Sequence, residues 1–530
     1  MNLQHVDHYD RIEAVTGEAL WQDKTTAAVT STTLTAPFIV PAVIEHLKHS
    51  KWASTVSVVP GEAEAFCAHT ARVSDAAILT NDSDPVLFAV PSENYAVVLL
   101  RSLSMNTTGG ARTVEAQCWR PRQIAQKLDL TSLLNLGLER SKDLTASFAV
   151  IRQRSLHSTR AHKDESAFKA FAAQFECPSL SLLELSISSC LTILDPRLAE
   201  LVCQLDDLSD PTMQSNLYSG LHVTLPILHE DPTRDSSWSY GRPLRHAAYC
   251  LLFLHKVGSK KGFLGNEGIA SDHSIVELSR KGQGIGQDLH LLTSSNQPLS
   301  VAKEQLHRLS QYVLQAFPSD SPQTKASSYI LWALHIVLNY RLANSKQSIS
   351  RELVEYCLGL AHPPAKRFQK LVTGLQTNDE ADSWTLLHLN ANIQAVLYSA
   401  RMLKQTTEYL QKDNRNHPKI VDDPISKMAT VLELMPPIQD LFLDPNRMRQ
   451  LMQQVPQEKM KEMVRPIFED AGWPVDGTTD ENNKELLKGE TVINRKSKKR
   501  RKKGKSEGHG KHSVQASMFR STNPFDLLTG

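Results

Sequence analysis

The stretch 58–87, VVPGEAEAFCAHTARVSDAAILTNDSDPVL, decides how the front of this chain is read. Its local character changes twice. The run 54–59 is rich in Val, Ser and Thr and predicts a strand, which Pro60 and Gly61 break. Glu62–Arg72 is dominated by Ala and Glu and predicts a helix. Ala76–Thr80 predicts a short buried strand that ends at the polar turn Asn81–Asp84. Glu62 and Glu64 stand two apart at the strand-to-helix junction, and Asp82 and Asp84 two apart just past the next strand.

On either side of this stretch, Pro41–His49 has the spacing of an amphipathic helix and Ala96–Leu103 that of a further strand. Helix, strand, helix and strand in close succession predict a parallel α/β unit. The C-terminal ends of parallel strands share one sheet edge, so the two acidic pairs are expected to converge. Carboxylates gathered in one pocket repel unless cations lie between them. Hard divalent ions such as Mg²⁺ or Mn²⁺ take oxygen ligands of this kind. Acids are also common at helix N-termini for plain dipole reasons, so spacing alone leaves both readings open.

From about Pro121 apolar residues recur at helical spacing: 124–138, 168–175, 301–317, 329–342, 351–360, 384–404 and 423–441. Polar loops are expected near 230–240 and 256–298. The stripes around Trp332 and Tyr398 read as core. Arg280–Gln287, with Gly282, Gly284 and Gly286, could follow a strand over 274–278 but lacks the spacing of a phosphate cradle, and reads as a flexible basic loop. The front also predicts a short helix over 8–22 and a polar linker over 25–35. The expected division is an α/β domain over 1–118, a mostly α-helical region over 119–473, and a disordered tail over 474–530.

The chain as a whole narrows the class of protein. Its 530 residues are 41% hydrophobic and 22% charged, an ordinary globular composition. The net charge of +2 hides an asymmetry, because nine basic residues and no acid fall between 495 and 505. The rest of the chain is therefore net acidic, which argues against a broad DNA-coating surface on the body. The seven cysteines show no metal-ligand or disulfide spacing and read as reduced thiols. No apolar run is long enough for a membrane span, and no membrane partner is expected. The N-terminus lacks a secretory pattern.

Three segments, PFIVPAVIEHL (37–47), VVPGEAEAFCA (58–68) and AILTNDSDPVL (77–87), together resemble the internal region of the XPG/FEN nuclease superfamily. Within it they are most similar to asteroid-type proteins of fungi. RPRQIAQKLDLTSLLNLGLE (120–139) and LLHLNANIQAVLYSARMLKQ (386–405) are similar to later helices of that group. The resemblance implies a PIN/FEN-like parallel sheet and a metal-dependent endonuclease acting on single-stranded or branched DNA. It makes Glu62, Glu64, Asp82 and Asp84 the catalytic, metal-holding carboxylates, with Mg²⁺ or Mn²⁺ as cofactor. It also implies an N-terminal strand bearing a further Asp, which is not read here, so the expected sheet is incomplete. A truncated start is the favoured explanation, and a shortened paralogue the other. Pro85 stands where the family usually has Leu.

The tail run Arg495, Lys496, Lys498, Lys499, Arg500, Arg501, Lys502, Lys503 and Lys505 reads as a nuclear import signal or a nonspecific nucleic-acid tether. The expected partners are DNA and the import machinery, and the expected location is the nucleus. The alternative is a noncatalytic nuclear scaffold that binds nucleic acid or protein. No histidine shows a ligand pattern.

Overall fold

The computed structural model describes residues 37–473, apart from 60–62, 89–93, 109–110, 144, 162–164, 177–190, 209–220, 232, 257–273, 282–283, 293–296, 311–321, 345–353, 356–357, 359–379, 413–428 and 442–450. The helix and linker expected over 8–35 and the basic tail lie outside the described residues. In chain order the front carries α1 (Ile39–Lys48), α2 (Ala63–Ser74), β1 (Ala77–Thr80), β2 (Ala96–Leu99), β3 (Ser104–Thr108), β4 (Ala111–Glu115) and β5 (Cys118–Trp119). Next come α3 (Pro121–Lys127), α4 (Leu134–Lys142), α5 (Phe148–Ala161), α6 (Glu165–Ala172), α7 (Pro196–Leu208), β6 (Leu221–Thr224) and α8 (Arg242–Lys256). The remainder is β7 (Ser274–Lys281), β8 (Gly284–Leu291), α9 (Gln297–Ser310), α10 (Pro322–Asn344), α11 (Glu380–Lys412), α12 (Ile438–Leu441) and α13 (Gln457–Asp470).

Two compact units result. Among the described residues, one comprises 37–66 with 191–471, the other 67–176 with 472–473. In the second unit β1 and β2 are parallel, in register Ala77 to Ala96 through Thr80 to Leu99, and β5 adds antiparallel to β2. Helix α2 turns into β1 at Asp75, whose φ of 50° is left-handed. The Ala76 N–H reaches back to Ala71 O at 2.9 Å, closing the helix as a Schellman end. Asp tolerates this conformation better than most non-glycine residues. The sheet is backed by a core of Val86, Leu87, Val97, Leu99, Trp119 and the apolar faces of α3 and α4. Helix α3 begins with Pro121, whose missing N–H costs nothing at that position. Each fully buried Val or Leu here contributes about 1.5–3 kcal/mol of transfer free energy.

The first unit is built around α11, which packs against α8 and α10. Its inward face is buried for many turns, including Ile393, Val396, Leu397, Tyr398 and Met402. The stripe around Trp332 on α10 is buried as read, except for the half-exposed Tyr340. Helix α1 docks in this unit through Phe38, which lies 4.6 Å between ring centroids from Tyr398.

Four local expectations are corrected. The run 54–59 is not a strand: Ala53–Thr55 forms a 3-10 turn, and Val56–Val59 pairs with no strand among the described residues. It is extended because Val58 inserts into the core of the first unit, not because a neighbouring strand bonds it. The second correction concerns 256–298, whose described part is not a loop. Strands β7 and β8 pair antiparallel from Ser274–Leu291 to Lys281–Gly284, and β6 joins β7 in parallel. Third, Arg280 is not part of a flexible basic loop. It is buried on β7, and its Nε donates to Glu230 Oε1 at 2.7 Å. Fourth, 230–240 is only in part a surface loop: Thr233 and Asp235 are exposed, but Glu230, Ser237, Trp238 and Tyr240 are buried. The chain is thus an α/β front followed by a mostly helical region, with one further small sheet inside that region.

Candidate active site

Strand β1 runs straight into the acidic turn, and the turn's shape follows from its own side chains. Thr80 Oγ1 accepts the Asp82 N–H at 3.0 Å, and Asp82 Oδ1 accepts the Asp84 N–H at 3.0 Å. The second bond is the Asx geometry by which Asp replaces a backbone acceptor. Asp84 then opens a 3-10 helix, Asp84–Leu87, with Pro85 at its start. The departure at Pro85 is accommodated because Pro has its φ preset for a first helical position and lacks only an N–H that would go unused. Pro85, Val86 and Leu87 are buried while Asp82 and Asp84 are exposed, so the turn is anchored on one side and open on the other.

Two further side chains hold it. The buried Tyr95 hydroxyl donates to Pro85 O at 2.7 Å from the start of β2. Asn81 Oδ1 accepts the Arg101 N–H at 2.7 Å, which ties the turn to the residues just past β2. Asp82 and Asp84 therefore lie at the C-terminal edge of a parallel strand pair, where α/β sheets collect their sites.

From that edge rises the hairpin β3–β4. Its base is closed by Gln117 N–H donating to Ser102 Oγ at 2.8 Å, one residue from Arg101. Met105 and Val114 face each other across the strands and are 73% and 63% exposed, a pair of large apolar side chains in water. The segment 100–122 carries Arg101, Arg112, Arg120 and Arg122 against the single acid Glu115.

The structure brings Asp82 and Asp84 together on one turn. Glu64 lies in the first turn of α2 and belongs to the first unit, whereas both aspartates belong to the second. Glu62 lies outside the described residues. Among the described residues no group of three or more His, Cys, Asp or Glu is placed to hold a metal ion. The chemistry of the Asp82–Asp84 pair nonetheless fits a hard divalent cation, because Mg²⁺ keeps most of its waters and is held by one or two carboxylates plus substrate phosphates. Sequence reasoning named the turn but missed Asn81, Tyr95 and Arg101. Asn81 was in view as a turn residue, but nothing local signals a bond to a backbone twenty residues on.

The densest electrostatics lie in the first unit and are structural. Arg245 donates to Glu277 through Nε at 2.7 Å and Nη2 at 2.6 Å, to Ser399 Oγ at 2.8 Å and to Trp238 O at 3.0 Å. The Arg245 guanidinium holds the buried Glu277 carboxyl far below the usual carboxylate range, against the opposing effect of burial. Asp195 is likewise held low by Arg197, Arg401 and the Tyr398 hydroxyl despite complete burial. Burial and the nearby Arg401 pull the Lys48 ammonium down to about 8.

Residues 35–289 match the model of a protein family described as XPG domain containing. The matched segment is a little under half of the chain and includes Glu62, Glu64, Asp82, Asp84 and the hairpin. No curated protein and no solved structure matches the chain. The family match supports a kinship with the XPG/FEN nuclease superfamily, and with it nucleic acid as the class of partner. No described helix is long and apolar enough to cross a membrane.

Proposed function

We propose that this chain is an asteroid-type member of the XPG/FEN superfamily that hydrolyses phosphodiester bonds of single-stranded or branched DNA in the nucleus. The observation that carries the reading is the exposed Asp82–Asp84 pair at the C-terminal end of β1, within the segment that matches the XPG family. Asp82 and Asp84 would hold a divalent cation, Mg²⁺ or Mn²⁺. When bound, such an ion neutralises phosphate charge and makes a water nucleophilic near neutral pH. The chain's own contribution is placement: Thr80, Asn81 and Tyr95 hold the turn on which both exposed aspartates sit. The hairpin beside them would supply apolar side chains, Met105 and Val114, that can lie against bases, and the flanking Arg101, Arg120 and Arg122 would meet phosphates.

The basic run 495–505 would carry the chain to the nucleus and tether nucleic acid without sequence choice. A panel of labelled single-stranded, duplex and branched oligonucleotides tests the reading. Mg²⁺-dependent cleavage that is lost in Asp82→Ala is the expected result. Equal cleavage by that variant would sink it.

A further inference from the structure

Helix α1 ends in a cluster of charges whose acids are already taken. Glu45 Oε2 accepts from Arg401 Nε at 3.3 Å and Nη2 at 3.2 Å, and Glu45 Oε1 accepts the Ile438 N–H at 3.3 Å. The buried Asp195 accepts from Arg197 through its backbone N–H and its Nη1, both at 3.1 Å, and from the Tyr398 hydroxyl. Arg401 Nη1 lies 3.7 Å from the same carboxylate, and Glu408 lies 3.9 Å from the Lys404 ammonium. Lys48, one turn after Glu45, is the surplus cation. It is partly buried and makes no hydrogen bond or ion pair among the described residues. Burial, and then the Arg401 guanidinium, draw its ammonium down to about 8, against the opposing pull of Asp195, Glu45 and Glu408.

We propose that Lys48 is a modification site, an amine that takes an acyl group from a thioester. Its nitrogen forms a bond to the acyl carbon, the C–S bond breaks, and the thiol leaves with the proton that the amine gives up. The product is a neutral amide that needs no counter-charge, so acylation removes an unpaired charge from the cluster and breaks no ion pair. At pH 7.5 such an amine is unprotonated about two hundred times more often than an ordinary lysine. A weaker base is also a weaker nucleophile. With the dependence on basicity measured for thiols, that loss is on the order of tenfold, which leaves a net advantage of about tenfold. The inference is independent of the DNA-cleavage reading, because all of these groups belong to the first unit.

The experiment treats the full chain with limiting acetyl-CoA and follows the acetylation of Lys48 by peptide mass spectrometry. Lys51, exposed and three residues on, with its ammonium 5.2 Å from the Trp52 ring centre, is the comparison. In the folded chain at pH 7.5 Lys48 is expected to react about tenfold faster than Lys51. Its rate should rise with pH and level off above about 8, and the preference should vanish in concentrated urea. Equal rates in the folded chain, or a slower Lys48, would overturn the inference. So would a preference that survives in urea, because it would come from the local sequence and not from the fold.

Discussion

Replacing Arg245 by Met isolates the largest single electrostatic commitment in the first unit. The side chain is 1% exposed, as is that of Glu277, its bidentate partner. Its guanidinium also reaches Ser399 on α11 and the Trp238 carbonyl, and lies 5.2 Å from the Trp238 ring centre. Methionine fills much of the volume but donates nothing, so Glu277 would be left buried with Tyr249 and His290 as its remaining polar neighbours. Removing one partner of a buried pair costs about 3–5 kcal/mol. For a body of this size that is a drop in melting temperature on the order of 10 °C. The Glu277 carboxyl is held low in the folded chain, so its contribution is present above the unfolded carboxyl range and lost as pH falls through and below it. The deficit of Arg245→Met should therefore be full at pH 7 and shrink in acid. Thermal melts followed by tryptophan fluorescence at pH 7 and pH 4 measure both. A variant melting within about 2 °C of wild type at pH 7 would refute the reasoning, as would a deficit that grows in acid.

Three further outcomes follow from the geometry. Gly241→Ala would bring a Cβ onto Ser399 Oγ, 2.7 Å from Ser399 Cβ and 2.9 Å from Ala395 O, all on α11. It should destabilise by about 1–3 kcal/mol, read as a lower melting temperature; an unchanged melt would show that α11 yields. The Lys48 ammonium is harder to protonate in the folded chain than in the unfolded one, so its penalty is present below about pH 8 and disappears as pH rises towards 10.5. Lys48→Met should accordingly gain relative stability at pH 7 and lose that advantage by pH 10, and a difference independent of pH would contradict this. Replacing Met105 and Val114 together by Thr removes two exposed side chains, so stability should move by no more than about 0.5 kcal/mol. Oligonucleotide affinity, measured by fluorescence anisotropy, should fall; unchanged affinity would remove the hairpin from the proposed contact.

The elements around the acidic turn were legible because each had its own local signal. AILT is β-prone and ends at a run of turn formers, and Ala63–Ser74 is a run of helix formers closed by an Asp that accepts a left-handed backbone. Of the β6–β7–β8 sheet only 274–278 could be read as a possible strand, and the reason lies in the polar residues the sheet buries. Glu277, Ser279 and His290 share one buried face with Ile275, and Arg280 is buried on the other, so polar residues interrupt the apolar alternation by which a half-buried strand is recognised. Their burial depends on Arg245 and Glu230, partners up to 50 residues away, which no local window contains. Glu230, at the start of the polar string 230–240, is buried because Arg280 pairs with it, a partner 50 residues on. At the candidate site, Asp82 and Asp84 were legible from spacing and resemblance. Tyr95 and Arg101 were not, because their role rests on hydrogen bonds to residues 10 and 20 positions earlier.

On this reading the Asp82–Asp84 turn holds the cation that serves phosphodiester hydrolysis. The most direct measurement is the Mg²⁺ dependence of single-turnover cleavage of a branched oligonucleotide by wild type and by Asp84→Asn, which keeps the side chain's shape and removes its charge. Cleavage is expected to rise with Mg²⁺ in the wild type and to stay at the chelator background in Asp84→Asn. Cleavage by Asp84→Asn with the wild-type rate and Mg²⁺ dependence would contradict it.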